Sequence, residues 1–243
     1  MVAGQEVEVP RVARYEVSTM LIKFSKNLQL SDIPKVPVNI ATQRHAYRIA
    51  IIDNEPFTYC DELRGHGFDI TELGDIRDFA AVAEYPIVAC DIKDVGKHFG
   101  TSYEGAHVIG EIRKRYPGKY LIAYSSGVFG PTYKTYWDSC DICLRRDGGF
   151  DQWVESLDKA IVSTGDPVHH WKRIRAALLN SDISALDIYL LENAYIRSIL
   201  KKDSFHLDKA IQKVKKSTSA GKALDTIAGG LISATKLFIH IAG

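Results

Sequence analysis

Asp53 and Asp91 each end a short apolar run, Arg48-Ile49-Ala50-Ile51-Ile52-Asp53 and Ile87-Val88-Ala89-Cys90-Asp91. In an open parallel α/β sheet, ligands are handled in the crevice beyond the carboxyl ends of the strands. Two such strands lying side by side would bring both carboxylates to one sheet edge. A carboxylate pair there suits a hard divalent cation, and one member of the pair can accept a phosphoryl group.

The elements that must position these acids alternate along the middle of the chain. Residues 48–53 read as a strand, followed by a helix from Pro56 to about His66. Phe68–Leu73 alternates apolar and polar residues as a strand does, and Asp75 is placed to cap a helix running to about Glu84. Ile87–Asp91 is the third strand, and a Gly-rich loop carries the chain to about Tyr103. A helix over Glu104–Tyr116 ends at Pro117-Gly118. Lys119–Tyr124 is a fourth strand, Tyr133–Trp137 part of a weak helix, and Asp141–Leu144 a fifth strand. Apolar residues at 150, 153, 154, 157, 160 and 161 mark a helix over Phe150–Val162. Five βα units in succession predict an α/β fold, a doubly wound five-stranded parallel sheet with helices on both faces.

With these residues in place, residues 47–163 resemble the receiver domain of bacterial response regulators, which has the flavodoxin-like fold. Asp53-Asn54-Glu55-Pro56 resembles the paired-acid motif, and Asp91 falls at the phosphoacceptor position. Ser125, with Ser126 behind it, matches the hydroxyl residue ending the fourth strand. Arg146 falls where the family carries a lysine. Glu111-Ile112-Arg113-Lys114-Arg115-Tyr116-Pro117 resembles the end of the third helix. The resemblance implies Mg²⁺ held by Asp53, Asn54, Asp91 and Lys93, phosphorylation of Asp91, and a hydrogen bond from Ser125 to the new phosphate. It implies a histidine kinase or phosphotransfer protein upstream, and a chain that is not itself an enzyme.

Several residues depart from that pattern. Asn54 replaces the second acid and weakens the hold on Mg²⁺. Arg146 keeps the positive charge but presents a wider guanidinium fork. Asp147 stands where the family has proline, and Cys143 where it has an aromatic switch residue. The loop after Asp91 is longer and carries Gly96, Gly100, Gly105 and His98. These departures leave an alternative open: a pseudo-receiver in which Arg146 permanently neutralises the acids and the protein works as an adaptor by contacts alone.

Outside that block the sequence bounds more than it specifies. The chain has 243 residues and a net charge of +1, which points to no particular partner. From Gly165 onward there are 12 Lys/Arg against 7 Asp/Glu, an excess that a solvated basic helix face explains without nucleic acid. No secretory leader is evident, and Cys60, Cys90, Cys140 and Cys143 form no disulfide framework, so a cytoplasmic setting is expected. Cys140-x-x-Cys143 has metal-ligand spacing without a second pair, and reads as two cysteines flanking a buried strand. Residues 1–46 form an amino-terminal extension with a strand-like Thr19–Phe24 and an extended arm set by Pro34 and Pro37.

Residues 164–243 read as helices: His169–Asn180, Ser184–Lys202 capped from Ser181 or Asp182, and a third helix capped by Asp203 or Ser204 and broken at 217–221. In the final segment, Lys222–Ala242, Leu224, Ile227, Leu231 and Phe238 share one face. Asp225 and Lys236 break the apolar run that a bilayer span requires. This region is expected to dock an output protein or to form a homodimer.

Overall fold

The computed structural model describes residues 28–35, 40–127, 138–217 and 221–241. Five strands form one wholly parallel sheet: β1 (Arg48–Ile52), β2 (Asp69–Glu72), β3 (Ile87–Asp91), β4 (Tyr120–Ser125) and β5 (Ile142–Arg145), in the order β2-β1-β3-β4-β5. Strand β1 pairs Ile52 with Cys90 of β3, and β3 pairs Asp91 with Tyr124 of β4. The strand order reverses between β1 and β3, so the two acids emerge at the topological switch point, where a doubly wound sheet opens its crevice.

Both faces of the sheet are covered, which is why β1, β3 and β4 are apolar almost throughout. On one face Ile49, Ile51, Ala89, Ile122 and Tyr124 pack against α1 (Cys60–Gly65) and α3 (Phe150–Gly165), through Leu63, Trp153, Leu157 and Ile161. On the other, Ala50, Ile52, Val88, Cys90 and Leu121 meet Val108, Ile109 and Ile112 of α2 (Glu104–Arg115). Alternate residues of a strand point to opposite faces, so each strand feeds two cores.

Four helices follow: α4 (Pro167–Leu179), α5 (Ala185–Lys201), α6 (Phe205–Ser217) and α7 (Gly221–Ile241). They share a core of Trp171, Ile174, Leu191, Tyr195, Leu207 and Leu231, in which Ile33 of the amino-terminal arm is also buried. The expected stripe Leu224, Ile227, Leu231 and Phe238 is buried, so α7 closes this bundle. Asp166 caps α4 through the N–H groups of Val168 and His169, with Pro167 at the first helical position, so α3 and α4 are separated by one residue. No helix among the described residues is long and apolar enough to cross a membrane.

Three local expectations are corrected. The helix expected from Pro56 begins only at Cys60. The Phe57 N–H is committed to Glu72 Oε1 at 2.8 Å, and its ring is 4.7 Å from that of Trp153, so tertiary contacts hold this stretch outside the helix. After β2, Asp75 does not cap a helix. Its Oδ1 accepts from the Gly96 N–H at 2.7 Å, while Asp78 caps a single 3₁₀ turn, Phe79–Val82. Helix α5 is capped by Ser184, whose Oγ accepts from the Asp187 N–H at 3.1 Å, and not by Ser181 or Asp182. The strand-like run 19–24, Pro37 of the arm and the weak helix 133–137 lie outside the described residues.

Candidate functional site

The carboxyl edge of the sheet gathers Asp53, Asp91, Ser125 and Arg146. Asp53 and Asp91 are 4% and 3% exposed, and Ser125, which ends β4 beside Asp91, is equally buried. Arg146 immediately follows β5, and its backbone N–H donates to the Ser125 carbonyl at 2.9 Å. That bond fixes where the guanidinium enters. Its Nη1 donates to Asp91 Oδ2 at 2.6 Å, and its Nη2 lies 3.2 Å from Asp53 Oδ2 and 3.1 Å from Glu55 Oε2. One planar cation thus joins three carboxylates, a task for which a fork of N–H donors suits better than a point ammonium.

The remaining carboxylate oxygens are also engaged. Asp53 Oδ2 accepts from the Tyr124 hydroxyl at 2.7 Å, and Asp53 Oδ1 accepts from the Glu55 N–H at 3.0 Å. Asp91 Oδ1 accepts from the Lys93 N–H at 3.2 Å. Burial pushes the Asp91 carboxyl above its ordinary range, and Asp53 beside it adds to the rise. The Lys93 N–H and the Arg146 guanidinium pull the other way. Burial and the adjacent Asp53 charge hold the Tyr124 phenol well above its usual range, so it stays a hydrogen-bond donor. These partners keep two buried acids tolerable in one small volume.

The same arrangement decides whether the residues suit Mg²⁺. A hard cation of that size takes carboxylates with free oxygens and retains several waters. Asn54 is exposed, and all four oxygens of Asp53 and Asp91 already accept from protein donors. No group of three or more His, Cys, Asp or Glu side chains among the described residues has an arrangement that would hold a metal. As arranged, these residues do not fit a bound Mg²⁺, because Arg146 lies where the metal's charge would be.

The flanking chain explains why the edge is so tight. Gly105, in the first turn of α2, has no room for a Cβ: one built there would collide with the Asp91 carbonyl oxygen. The Gly105 N–H donates to the Ile92 carbonyl at 3.2 Å, pinning the start of α2 to the end of β3. Ser125 Oγ accepts from the Gly127 N–H at 3.2 Å. The Lys93 side chain passes close over Gly127, where an added Cβ would meet its amine. His98 stands away from these acids, with its Nδ1 3.7 Å from Asp75 Oδ2.

Of the residues singled out from sequence, Asp53, Asp91, Ser125 and Arg146 come together, Lys93 lines the edge by its backbone N–H, and Asn54 turns out to solvent. Glu55 and Tyr124 complete the cluster and carry no separate signal. Glu55 lies inside the acidic motif, but its reach to Arg146 depends on the turn after β1. Tyr124 reads as one more apolar residue of the fourth strand. Cys143, expected beside a buried strand, is exposed, because β5 is an edge strand of which only Leu144 is fully buried.

No protein-family model and no curated protein matches the chain. Among solved structures it is similar to a CheY-like response regulator receiver domain protein from Methanospirillum hungatei JF-1, at 17% identity with a TM-score of 0.36, over 47% of this chain and 96% of that one. The doubly wound α/β architecture of residues 48–165 rests on the strand order, the parallel pairing and the helices covering both faces of the sheet.

Proposed function

We propose that this protein is a pseudo-receiver adaptor, a signalling module whose receiver-like domain works without phosphate and whose helical region carries protein contacts. The observation that carries this reading is the Arg146 guanidinium lying across Asp91, Asp53 and Glu55. A built-in cation supplies the neutralisation that a metal and a phosphorylation cycle would otherwise require. On this reading the chain catalyses no reaction of its own. Leu186, Tyr189 and Leu200, exposed on one side of α5, provide apolar surface for a protein contact.

A second reading, phosphorylation of Asp91 with Mg²⁺ by a histidine kinase or phosphotransfer protein, is favoured by one observation. Asp91 and Ser125 close adjacent strands, as a phosphoacceptor and its switch hydroxyl would. It requires Arg146 to leave both acids.

Acetyl phosphate with Mg²⁺, followed by separation on a phosphate-sensitive gel, distinguishes the two. The adaptor reading predicts no shifted species for the wild type. A shifted species that vanishes in Asp91→Asn overturns it in favour of the second reading.

A further inference from the structure

We propose that Cys140 and Cys143 form a reversible thiol–disulfide site that exchanges with low-molecular-weight disulfides of the glutathione class. Their Sγ atoms lie 3.1 Å apart, already within the usual contact distance of two sulfurs and about 1 Å from the length of a disulfide bond. Cys143 is exposed on the edge strand β5, and Cys140 is half-buried in the bend before it. That pairing of an accessible sulfur with a sheltered one matches an attacking and a resolving thiol.

The backbone around the pair is held from three sides. Asp141, between the cysteines, accepts from Arg113 Nη2 at 2.6 Å and from the Leu121 N–H at 2.8 Å, and its other oxygen lies 3.1 Å from Arg173. Arg113 also donates from Nε to the carbonyl of Ser139, the residue before Cys140, at 2.8 Å. With both ends fixed, bringing the sulfurs together loses little chain entropy, and the second thiol acts at high effective concentration.

Thiol reactivity divides along the same line. Hydrogen bonding from Cys140 holds the Cys143 thiol below its ordinary range, while the bond to Cys143 and burial hold Cys140 well above it. Burial pushes Cys60 up to about 11, and Cys90 is enclosed and raised further. The latter two are therefore internal controls.

The exchange balances without other reactants. Cys143 thiolate attacks one sulfur of RSSR, forming a Cys143–S–SR mixed disulfide as the RS–SR bond breaks and the first RS⁻ leaves. The Cys140 thiol then loses its proton to solvent and attacks Cys143 Sγ, expelling the second RS⁻. Two protein thiols are oxidised to one disulfide, and one RSSR is reduced to two RSH after protonation. The ring so formed encloses Asp141, which links α2 to α4 through Arg113 and Arg173. The bond therefore forms at the seam between the sheet and the helical bundle.

The test uses the full-length reduced protein in glutathione disulfide, with alkylation of remaining thiols and peptide mass mapping. The expected result is a Cys140–Cys143 disulfide, with Cys60 and Cys90 alkylated only after unfolding. Cys140→Ser should trap a glutathione adduct on Cys143, and Cys143→Ser should react at least about ten-fold more slowly. Far-UV circular dichroism establishes that each variant is folded. Complete alkylation of both cysteines under oxidising conditions in the folded protein would overturn the site. Stoichiometric zinc retained by the same two thiols, with no disulfide formed, would also overturn it.

Discussion

The two ends of the central sheet treat buried charge in opposite ways. At the carboxyl edge, Asp53 and Asp91 are buried and every carboxylate oxygen has a donor, with Arg146 bridging both acids to Glu55. At the amino edge, where the sheet meets the helical bundle, a cavity of about 780 Å³ is lined by Lys119, Thr164, His170 and residues of α7 such as Ile227 and Gly230. There His170 Nε2 and Thr164 Oγ1 are buried without a hydrogen-bond partner. Lys119 is held by the carbonyls of Ala83 and Tyr85 at 2.9 and 2.6 Å, and burial pushes its amine down to about 7. One edge answers each charge with an opposite charge. At the other, burial disfavours the protonated forms of Lys119 and His170.

That contrast is broken most severely by removing the bridging cation. Arg146→Ala leaves two buried acids without their counter-charge, and about 3–5 kcal/mol of stability is expected to be lost near neutral pH. The sign with pH follows from Asp91, a carboxyl whose pKa is already raised in the folded state. Such a group favours the fold below its unfolded pKa and loses that advantage as pH rises, so the deficit should shrink on acidification. Urea denaturation at pH 7 and pH 5 measures both effects. Adding Asp91→Asn should return part of the loss, whereas an equal deficit at both pH values would deny the charge explanation.

The amino edge predicts the opposite slope. Burial, helped by Arg173 and Lys119 nearby, pushes His170 down to about 3. The unfolded chain then binds more protons between the ordinary histidine range and that value, so stability falls as pH drops through this window. The slope approaches about 1.4 kcal/mol per pH unit. His170→Phe retains a ring of similar shape against Phe238 and should flatten that dependence in thermal melts between pH 6 and 4. An unchanged slope would place the acid sensitivity elsewhere.

Gly105→Ala tests packing at the carboxyl edge and not charge. Alanine is the better helix former, yet its Cβ would meet the Asp91 carbonyl, so a net loss of about 1–3 kcal/mol is expected. A gain would show that α2 can withdraw from the edge. The smallest effect is expected far from both edges. Ser184→Ala removes the α5 cap and should cost about 1 kcal/mol, with the response of the Asp91 cluster to pH unaltered.

The legibility of the two edges in sequence differs for physical reasons. Strands β1, β3 and β4 are short apolar runs ended by a polar group, and a doubly wound sheet turns such ends toward a common crevice. The positions of Asp53, Asp91 and Ser125 at that crevice are therefore legible in the strand pattern alone. Arg146 could be placed beside them, but its simultaneous reach to Glu55 depends on the turn after β1. The late start of α1 was hidden because Phe57 obeys a tertiary packing demand over a favourable helix signal. The amino edge gave no warning. Lys119 sits at a strand start and His170 on a helix, and only the docking of α4 and α7 against the sheet buries them together. Gly118 belongs to the same case: it reads as a turn residue, but a Cβ there would collide with the His170 ring.

On the adaptor reading, Arg146 takes the electrostatic place of a metal between Asp53 and Asp91. A Mg²⁺ titration followed by backbone amide chemical shifts tests it most directly, with Asp53, Asp91 and Lys93 as the reporters. No saturable shift is expected at these residues in the wild type at millimolar Mg²⁺, and one should appear in Arg146→Ala under conditions where that variant is folded. Saturable shifts centred on Asp53 and Asp91 in the wild type would contradict it and favour the second reading.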